Sequence, residues 1–206
     1  PKSRNLISKI SNDDFSNEKF RFGYGKFITL GSKKVWAQRL SYVGELGFEL
    51  YIENKDAKEI YQLIIEEGKN YDLSHCGSHA MDTMRMESGF LHWGHDISPE
   101  ENQYEAGLNS AISYKKEIDF IGKESLLKIK DQKKNRRFIM LSLKDSKPGI
   151  PLLLHEEPIY LGDKIIGRTT SGNYSFNYKK NMSFGYVSST HSNEELSKMD
   201  LYIEVA

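Results

Sequence analysis

The sequence predicts an α+β fold, in which an antiparallel sheet with packed helices is followed by a small C-terminal antiparallel β-barrel. Two observations predict this order. Alternating and helical patterns of apolar residues share the first part of the chain. Only short strand patterns, separated by frequent turns, follow the polar run at 131–137. We therefore expect two domains, an α+β domain over residues 1–132 and a barrel over residues 133–206.

The first expected elements are a short helix and three strands. Apolar residues recur at helical spacing over residues 4–10. Residues 27–30 and 35–42 alternate with a period of two on both sides of a glycine-containing turn at 31–34, which predicts a β-hairpin. A third strand pattern covers residues 48–52, with Phe, Leu and Ile on one face and Glu and Tyr on the other.

Three helical patterns and a series of strands complete the chain. Apolar residues fall on one side of residues 55–69, with Asn54 as a candidate N-cap. A second helix runs from about Ser78 to a stop at Gly89, and a third covers residues 119–130. The expected strands of the barrel lie at 138–143, 151–154, 157–161, 164–170, 183–188 and 200–205.

Composition and charge exclude several functional classes. The 29 basic and 29 acidic residues cancel, so the chain lacks the overall field that draws in nucleic acid or an anionic membrane. No apolar run approaches the roughly 18 to 20 residues that span a bilayer. The single cysteine, Cys76, can form neither an internal disulfide nor a cluster of thiolate ligands. We expect no nucleic-acid or membrane partner, and a reducing compartment is permitted.

Two pairs of histidines invite a test for metal binding. His75 and His79 are spaced i, i+4, and His92 and His95 flank a Trp-Gly pair. Gly77 interrupts a helix between the first two, the glutamate of an HExxH motif is missing, and the second pair lies in a loop pattern. We expect these histidines to cap, pack or form hydrogen bonds, and we expect no metal site.

The sharpest local feature is the stretch SYVGELGFEL at residues 41–50. Gly44 and Gly47 permit a close backbone approach or a positive φ, and can bring Tyr42 and Glu49 to one cleft. A carboxylate accepts two hydrogens at once, and the amide edge of an aminopyrimidine donates two. From spacing alone, a tight hairpin with an exposed glutamate is the favoured interpretation, and a ligand site is the alternative.

Aromatic side chains suggest what such a ligand would be. Tyr42, Phe48, Phe90 and Trp93 would line a flat slot that holds a heteroaromatic ring such as a pterin. The chain has 12 Tyr and 10 Phe residues, so packing in the core is the default expectation for any single aromatic residue.

Five ordered motifs resemble the aminomethyltransferase (glycine-cleavage T-protein) family over nearly the full chain. They are YVGELGFEL, AMDTMRMESGFLHWGHDI, NQYEAGL, DFIGKESL, and IGRTTSGNYS followed by MSFGYV. A Trp-Gly pair at 93–94, where glycine-cleavage members usually carry Tyr-Gly, makes the chain most similar to the T-protein-like tails of dimethylglycine and sarcosine dehydrogenases. In those enzymes a flavin domain oxidises an N-methyl group, and the tail transfers the released carbon to tetrahydrofolate.

The resemblance implies tetrahydrofolate as the cofactor, and a methylamine or aminomethyl compound as the donor of the carbon. It places Glu49 at the 2-amino and ring-nitrogen edge of the pterin, with Tyr42 and Phe90 against the folate. Trp93 would border the pocket. Arg85 is also a candidate for cofactor binding, although a tie between its helix and the following loop is the more expected role.

Departures from the family pattern limit what this chain would do alone. Met81 stands where glycine-cleavage members often have an arginine, so that polar contact with folate is missing or supplied elsewhere. In the family, an upstream part of the fold supplies the aspartate that orients the folate. We expect both ends to be truncated, the upstream part of the same polypeptide to complete the pocket, and no catalytic residue in this fragment, which would be inactive alone. FAD would bind only in a separate upstream domain.

Three alternatives stay open. The first is a glycine-cleavage aminomethyltransferase, and the second is a folate-dependent demethylase or a folate-binding regulator of iron–sulfur assembly. The third belongs to another class, a non-catalytic folate-binding or domain-docking module. The expected location is the cytoplasm in a bacterium or the mitochondrial matrix in a eukaryote.

Overall fold

The structure is a computed structural model that describes residues 2–132 and 135–205. The chain divides into two compact units, residues 1–88 (unit 1) and 89–206 (unit 2). Both contain antiparallel sheet and helices, which confirms the predicted α+β class. The predicted domain limit between residues 132 and 133 was drawn from a change of sequence pattern and stays a prediction. Lys133 and Lys134, next to that limit, lie outside the described residues.

Unit 1 is a three-stranded antiparallel sheet with helices packed against one face. In chain order its elements are α1 (Ser3–Ile7), β1 (Gly25–Leu30), β2 (Lys33–Gln38), β3 (Glu49–Tyr51), α2 (Asn54–Gly68), a 3-10 turn (Lys69–Tyr71) and α3 (Ser78–Glu87). The sheet order is β1-β2-β3. The hairpin is confirmed, since Leu30 pairs with Lys33 across a turn in which Gly31 has a φ of +57°. Strand β2 ends earlier than predicted, at Gln38.

The core of unit 1 follows from the period-two pattern of its strands. Ile28 and Leu30 of β1, and Val35 and Ala37 of β2, are buried against Ile60 of α2. The intervening residues of each strand face away from this core. Fully burying an aliphatic side chain of this size contributes about 1.5–3 kcal/mol. One face of β3 packs against this core, and the opposite face remains accessible.

Helix α2 begins without the predicted cap. Asn54 is its first helical residue, and Glu53 occupies the N-cap position without a side-chain hydrogen bond to the helix. The Glu53 carboxylate instead lies 2.6 Å from the Lys55 amine. Asp56 supports the first turn by its negative charge and by an ion pair of 3.1 Å with Lys33 of β2.

Unit 2 contains a five-stranded antiparallel sheet in the order β4-β7-β6-β5-β8. In chain order its elements are a 3-10 turn (Asn109–Ala111), α4 (Lys123–Ile129), β4 (Arg136–Ser142), β5 (Pro158–Leu161), β6 (Lys164–Ser175), β7 (Lys180–Ser188), α5 (Asn193–Leu196) and β8 (Leu201–Ile203). Antiparallel pairing is thus confirmed. Over residues 135–205 the edge strands β4 and β8 do not pair with each other, so closure into a barrel stays a prediction.

The predicted strand at 151–154 is wrong. Residues 151–154 pair with none of the described strands, and the Leu154 N–H donates to the Glu157 carboxylate over 2.9 Å. Leu153 is buried, and its backbone packs closely on Gly172 of β6, where a Cβ would come within 2.5 Å of it. Burial of one leucine in a loop produced an apolar pattern that resembled a strand.

Candidate functional site

The glycine-rich motif forms a long loop between β2 and β3. Gln38 and Glu49 face each other in the sheet, and residues 39–48 connect them. The tight hairpin favoured from spacing alone is therefore wrong. Instead, the chain leaves the sheet and returns to it beside its point of departure, which places Glu49 at the first position of β3.

Two close contacts explain the glycines of this loop. Gly44 has a φ of +71°, and a Cβ there would lie 1.9 Å from Ser88 Oγ and 2.8 Å from Ser88 Cβ. A Cβ on Gly47 would lie 3.2 Å from Ser41 Cβ on the opposite side of the loop. Both the positive φ and the close approach predicted for this motif are confirmed. Side chains larger than hydrogen would push the loop apart.

Hydroxyl groups hold the loop to two helices of unit 1. Ser3 Oγ of α1 donates to the Leu46 carbonyl over 2.6 Å. At the end of α3, Ser88 Oγ contacts the carbonyls of Met84 at 3.1 Å and Val43 at 3.5 Å. The loop is thereby fixed near its middle as well as at its ends, and Tyr42 within it is half-buried. The predicted common cleft of Tyr42 and Glu49 stays a prediction.

Glu49 lies on the face of the sheet that points away from the core. Its side chain is exposed, and its Oε2 accepts a hydrogen bond of 3.0 Å from the hydroxyl of Tyr51, two residues along the same face. This hydrogen bond, together with the negative charge of Glu49, raises the pKa of Tyr51. The predicted division of this strand into a Glu/Tyr face and an apolar face is confirmed.

A row of three aromatic side chains on the outer face of the sheet adjoins Glu49 and was missed in the sequence. Phe27, Trp36 and Tyr51 are in register across the three strands. The Phe27 and Trp36 rings meet edge to face with centroids 5.0 Å apart. Phe27 and Tyr51 are more than half exposed. The row is visible only when the register of β3 against β2 is known. That register depends on the length of the 39–48 loop, which the sequence pattern did not define.

Phe48 does not belong to this exposed face. Its ring packs with centroids 5.5 Å from both Phe15 and Phe20, on the core side of the sheet. There it also lines an apolar cavity of about 220 Å³ beside Leu50, a cavity of which Glu49 is not a lining residue. The default expectation of core packing is confirmed for Phe48, which does not join the exposed face that carries Glu49, because the alternation along the strand turns Phe48 inward.

Arg85 is buried in α3 with an exposed fraction of 3%. Its Nε donates to Asp82 Oδ1, one turn earlier on the same helix, over 3.1 Å. Met81, on the same helix, is half-buried. The ion pair seen for Arg85 stabilises its own helix, and the predicted tie to the following loop and contact with folate stay predictions.

Phe90 and Trp93 belong to unit 2. The exposed fraction is 36% for Phe90 and 66% for Trp93. Trp93 lies at the start of a tight turn closed by two backbone hydrogen bonds of 2.8 Å, from Gly94 N to the Ile97 carbonyl and from Asp96 N to the His92 carbonyl. Gly94 has a φ of +90°, which the turn requires. Sequence and structure agree that this segment is a loop.

A buried carboxylate, missed in the sequence, fixes this loop. Asp96 is 1% exposed, and its Oδ2 accepts a hydrogen bond of 2.9 Å from the His92 N–H. Its Oδ1 accepts hydrogen bonds of 2.5 Å from Thr170 Oγ1 and 2.7 Å from Ser171 Oγ, both in β6. The only sequence signal was an Asp in a polar loop and a Thr-Thr-Ser run elsewhere, and nothing in either pattern connects the two.

The motif NQYEAGL also has a structural role. Asn102 Oδ1 accepts the backbone N–H groups of Tyr104 and Glu105, and Glu105 Oε2 accepts that of Asn102. The Glu105 carbonyl then accepts the Phe138 N–H of β4 over 2.8 Å. These bonds stabilise the turn and attach it to the sheet.

An ion pair fastens the preceding segment to β4. Glu101 Oε1 lies 2.7 Å from Arg136, and Glu101 Oε2 accepts hydrogen bonds from the hydroxyl and backbone N–H of Ser98. Burial alone would raise the pKa of Glu101, but the bonds from Ser98 and Arg136 outweigh it and hold the pKa below its ordinary value. The Arg136 guanidinium also lies 4.4 Å from the centre of the Tyr186 ring, and burial raises the pKa of Tyr186.

The histidines pack and form hydrogen bonds where their contacts are seen. His75 Nε2 lies 2.7 Å from the Tyr61 hydroxyl, and the rings of His92 and His95 have centroids 4.6 Å apart. Over residues 2–132 and 135–205, no three His, Cys, Asp or Glu side chains form a group that could hold a metal ion. Within the same residues, no helix has the length and apolar character needed to cross a membrane.

Two family models match the chain. The GCVT N-terminal domain matches residues 1–116, and the glycine cleavage T-protein C-terminal barrel domain matches residues 136–206. A solved structure, the glycine cleavage system aminomethyltransferase T from Bartonella henselae, superposes with a TM-score of 0.79 over 98% of this chain and 52% of its own. Its sequence identity is 19%, so this likeness concerns the fold alone.

Curated relatives are longer than this chain. It is 38% identical over 174 residues to a 4-methylaminobutanoate oxidase (formaldehyde-forming) from Paenarthrobacter nicotinovorans, covering 84% of this chain and 21% of the relative. It is 35% identical to human mitochondrial dimethylglycine dehydrogenase, covering 91% and 21%. It is 32% identical to an aminomethyltransferase from Symbiobacterium thermophilum, covering 93% and 50%. The chain thus corresponds to about a fifth of the first two relatives and half of the third.

Proposed function

Because the chain belongs to the glycine cleavage T-protein family, whose GCVT N-terminal domain matches more than half of its residues, we propose that it binds tetrahydrofolate. It would do so as part of an enzyme that transfers a one-carbon unit from a methylamine or aminomethyl donor to that folate. The aspartate that orients folate in the family has no counterpart among the motifs of this chain, so the upstream part of the same polypeptide would complete the pocket and the catalysis.

The observation that carries this proposal is the placement of Glu49. An exposed carboxylate lies at the start of β3, on the open face of the sheet and beside aromatic rings. The 2-amino group and the adjacent ring N–H of a pterin donate two parallel hydrogen bonds, which one carboxylate accepts. Ring faces beside that carboxylate suit a flat heteroaromatic ligand. The residues present therefore fit a pterin.

The other candidate residues have distinct proposed roles. Tyr42 and Phe90 contact the folate, and Trp93 borders its pocket, as the family motifs imply. Arg85 stabilises α3, which adjoins the loop that carries Tyr42. Its proposed role is therefore to support that loop without touching the ligand. Tetrahydrofolate supplies the nitrogen that accepts the carbon, and the protein contributes mainly orientation and the exclusion of water.

Among the possible parents we favour a flavin-dependent dimethylglycine or sarcosine dehydrogenase. The Trp93-Gly94 pair distinguishes these tails from most glycine-cleavage members, and human dimethylglycine dehydrogenase is 35% identical over 91% of the chain. FAD would then bind in a separate upstream domain. A glycine-cleavage aminomethyltransferase is the second candidate, because the Symbiobacterium thermophilum protein of that name is 32% identical over 93% of the chain.

A candidate of another class is a domain-docking module. The row of Phe27, Trp36 and Tyr51 favours it, since Phe27 and Tyr51 are exposed on either side of the half-buried Trp36, and exposed apolar patches mark interaction surfaces. Such a module would show no saturable binding of tetrahydrofolate.

Calorimetric titration of tetrahydrofolate into the full-length protein tests the proposal. We expect Glu49→Ala to weaken binding by about tenfold or more, because the pterin donors lose a charged acceptor. Glu53→Ala is the matched control, since Glu53 is an exposed glutamate four residues away that pairs with Lys55. Its affinity should equal that of the unsubstituted protein. Equal affinities for the Glu49→Ala and unsubstituted proteins, or an absence of saturable binding by the latter, would contradict the proposal.

A further inference from the structure

The loop at 92–97 of unit 2 combines a buried anchor with an exposed tip. At the anchor, Asp96 is 1% exposed and accepts hydrogen bonds from His92, Thr170 and Ser171. At the tip, Trp93 is 66% exposed. Most exposed tryptophans are costly, since a large apolar surface is left in water. Rigid loops that present an exposed tryptophan are common at ligand-binding surfaces.

The two hydroxyl donors reach Asp96 because β6 is irregular at this point. Consecutive residues of a regular strand point to opposite faces. Here Thr169 pairs with Gly185 and Ser171 with Phe184, so Thr170 is an extra residue in a β-bulge. As a result, Thr170 Oγ1 and Ser171 Oγ both bond to the same oxygen, Asp96 Oδ1. The bulge is thus shaped to receive the carboxylate.

The hydrogen bonds of Asp96 also fix the turn that carries Trp93. Asp96 Oδ2 accepts the His92 N–H, while the Asp96 N–H donates to the His92 carbonyl, so the residues on both sides of Trp93 are tied to the anchor. The backbone bond from Gly94 to Ile97 closes the turn. An aromatic side chain on a preorganised loop binds with little further loss of conformational entropy.

We propose that Asp96 is a positioning residue, which acts through the β6 bulge to hold Trp93 in the conformation that contacts the folate. This inference rests on the proposed function and adds to it a residue that orients Trp93. Asp96 does not touch the ligand. Its contribution is to present one aromatic ring in a single orientation.

Two substitutions weaken the anchor to different degrees. Asp96→Asn keeps the shape but turns one acceptor oxygen into a donor, which faces N–H or O–H groups that are themselves donors. Thr170→Val removes one hydroxyl and leaves the carboxylate. Thr169→Val is the matched control: Thr169 is buried in the same strand, but its hydroxyl bonds to Glu157 over 2.9 Å and not to Asp96.

The first readout is the order of the Trp93 side chain in the full-length protein. With 5-fluorotryptophan incorporated, the ¹⁹F resonance of Trp93 is assigned by its loss in Trp93→Phe. We expect one sharp resonance in the unsubstituted protein and in Thr169→Val. Exchange between loop conformations should broaden or split it in Asp96→Asn, and to a lesser degree in Thr170→Val. An unchanged resonance in Asp96→Asn would overturn the inference.

The second readout is the affinity for tetrahydrofolate in a double-mutant cycle. Asp96→Asn and Trp93→Ala should each weaken binding about three- to tenfold, in the range of one aromatic contact. Asp96→Asn should have no further effect when Trp93 is already alanine, because the anchor acts only through that ring. Equal effects of Asp96→Asn in both backgrounds would overturn the inference. Glu49→Ala distinguishes this inference from the proposed function, because weaker tetrahydrofolate binding by Glu49→Ala supports the proposed function even where Asp96→Asn has equal effects in both backgrounds.

Discussion

Two loops that carry candidate site residues, Tyr42 in one and Trp93 in the other, are fixed in different ways. The loop at 39–48 in unit 1 is shaped by its own glycines and by contacts of its backbone with Ser88 and Ser3. The loop at 92–97 in unit 2 is fixed by one buried carboxylate whose partners lie in β6. The first kind of loop can be recognised from a local motif, whereas the second depends on residues distant in sequence.

The largest effect that distinguishes the two loops is expected at Asp96. Asp96→Ala leaves two buried hydroxyls and one backbone N–H without their acceptor, and each such group costs about 1–3 kcal/mol. We expect the free energy of unfolding to fall by about 3–5 kcal/mol in urea denaturation. A loss below about 1 kcal/mol would mean that the anchor contributes little to unit 2.

A smaller loss is expected from Gly44→Ala in the other loop. The new Cβ would require a positive φ of +71° and would meet Ser88 Cβ at 2.8 Å, a contact that rotation of the serine cannot relieve. Left-handed strain of about 1–2 kcal/mol and steric displacement together predict a loss of about 2–3 kcal/mol. Gly89→Ala is the control for the steric contact, since Gly89 has a comparable φ of +73° but no atom of a described residue within 4 Å of its missing Cβ. If both variants unfold at the same urea concentration, the glycine does not shape the loop.

The ion pair next to the 92–97 loop predicts a dependence on pH that the 39–48 loop does not share. Glu101 has a pKa held below the ordinary value near 4.5. A depressed pKa contributes stability that is present above the unfolded-state value and is lost as the pH falls through the folded-state value. Compared with Glu101→Gln, the unsubstituted protein should therefore lose more stability below about pH 4.5. Parallel curves of unfolding midpoint against pH for the two proteins would contradict this assignment.

The smallest effect is expected at Tyr51, beside Glu49. Tyr51→Phe removes the 3.0 Å hydrogen bond that holds one oxygen of the Glu49 carboxylate. Because both groups are exposed, we expect an unchanged midpoint of thermal unfolding and only about a two- to threefold loss of tetrahydrofolate affinity. Tyr61→Phe, which removes a comparable exposed hydroxyl bonded to His75, is the control in the same calorimetric titration. A loss equal in both variants would exclude a specific role of Tyr51.

Sequence reasoning succeeded where the determinant was local. The hairpin at Gly31, the helices α2 and α3, and the positive φ of Gly44 follow from residue types and spacing over a few positions. The family followed from ordered motifs, and the match to the GCVT N-terminal domain bears it out. These features need no knowledge of distant contacts.

Sequence reasoning failed where the determinant was a partner far along the chain. The sequence left Phe48 between a ligand slot and the default position in the core, and its partners there, Phe15 and Phe20, are distant in sequence. The 39–48 loop hid the register that aligns Phe27, Trp36 and Tyr51. The role of Asp96 was missed, since its hydroxyl partners lie in β6. Each error reflects tertiary pairing, which no single window of residues contains.

The central claim is that Glu49 recognises the 2-amino edge of a pterin, and one comparison of ligands tests it most directly. The full-length protein is titrated with tetrahydrofolate and with an analogue that carries hydrogen in place of the 2-amino group. We predict that the unsubstituted protein prefers tetrahydrofolate by about tenfold and that Glu49→Ala binds the two ligands equally. A preference of the same size in both proteins would contradict the claim.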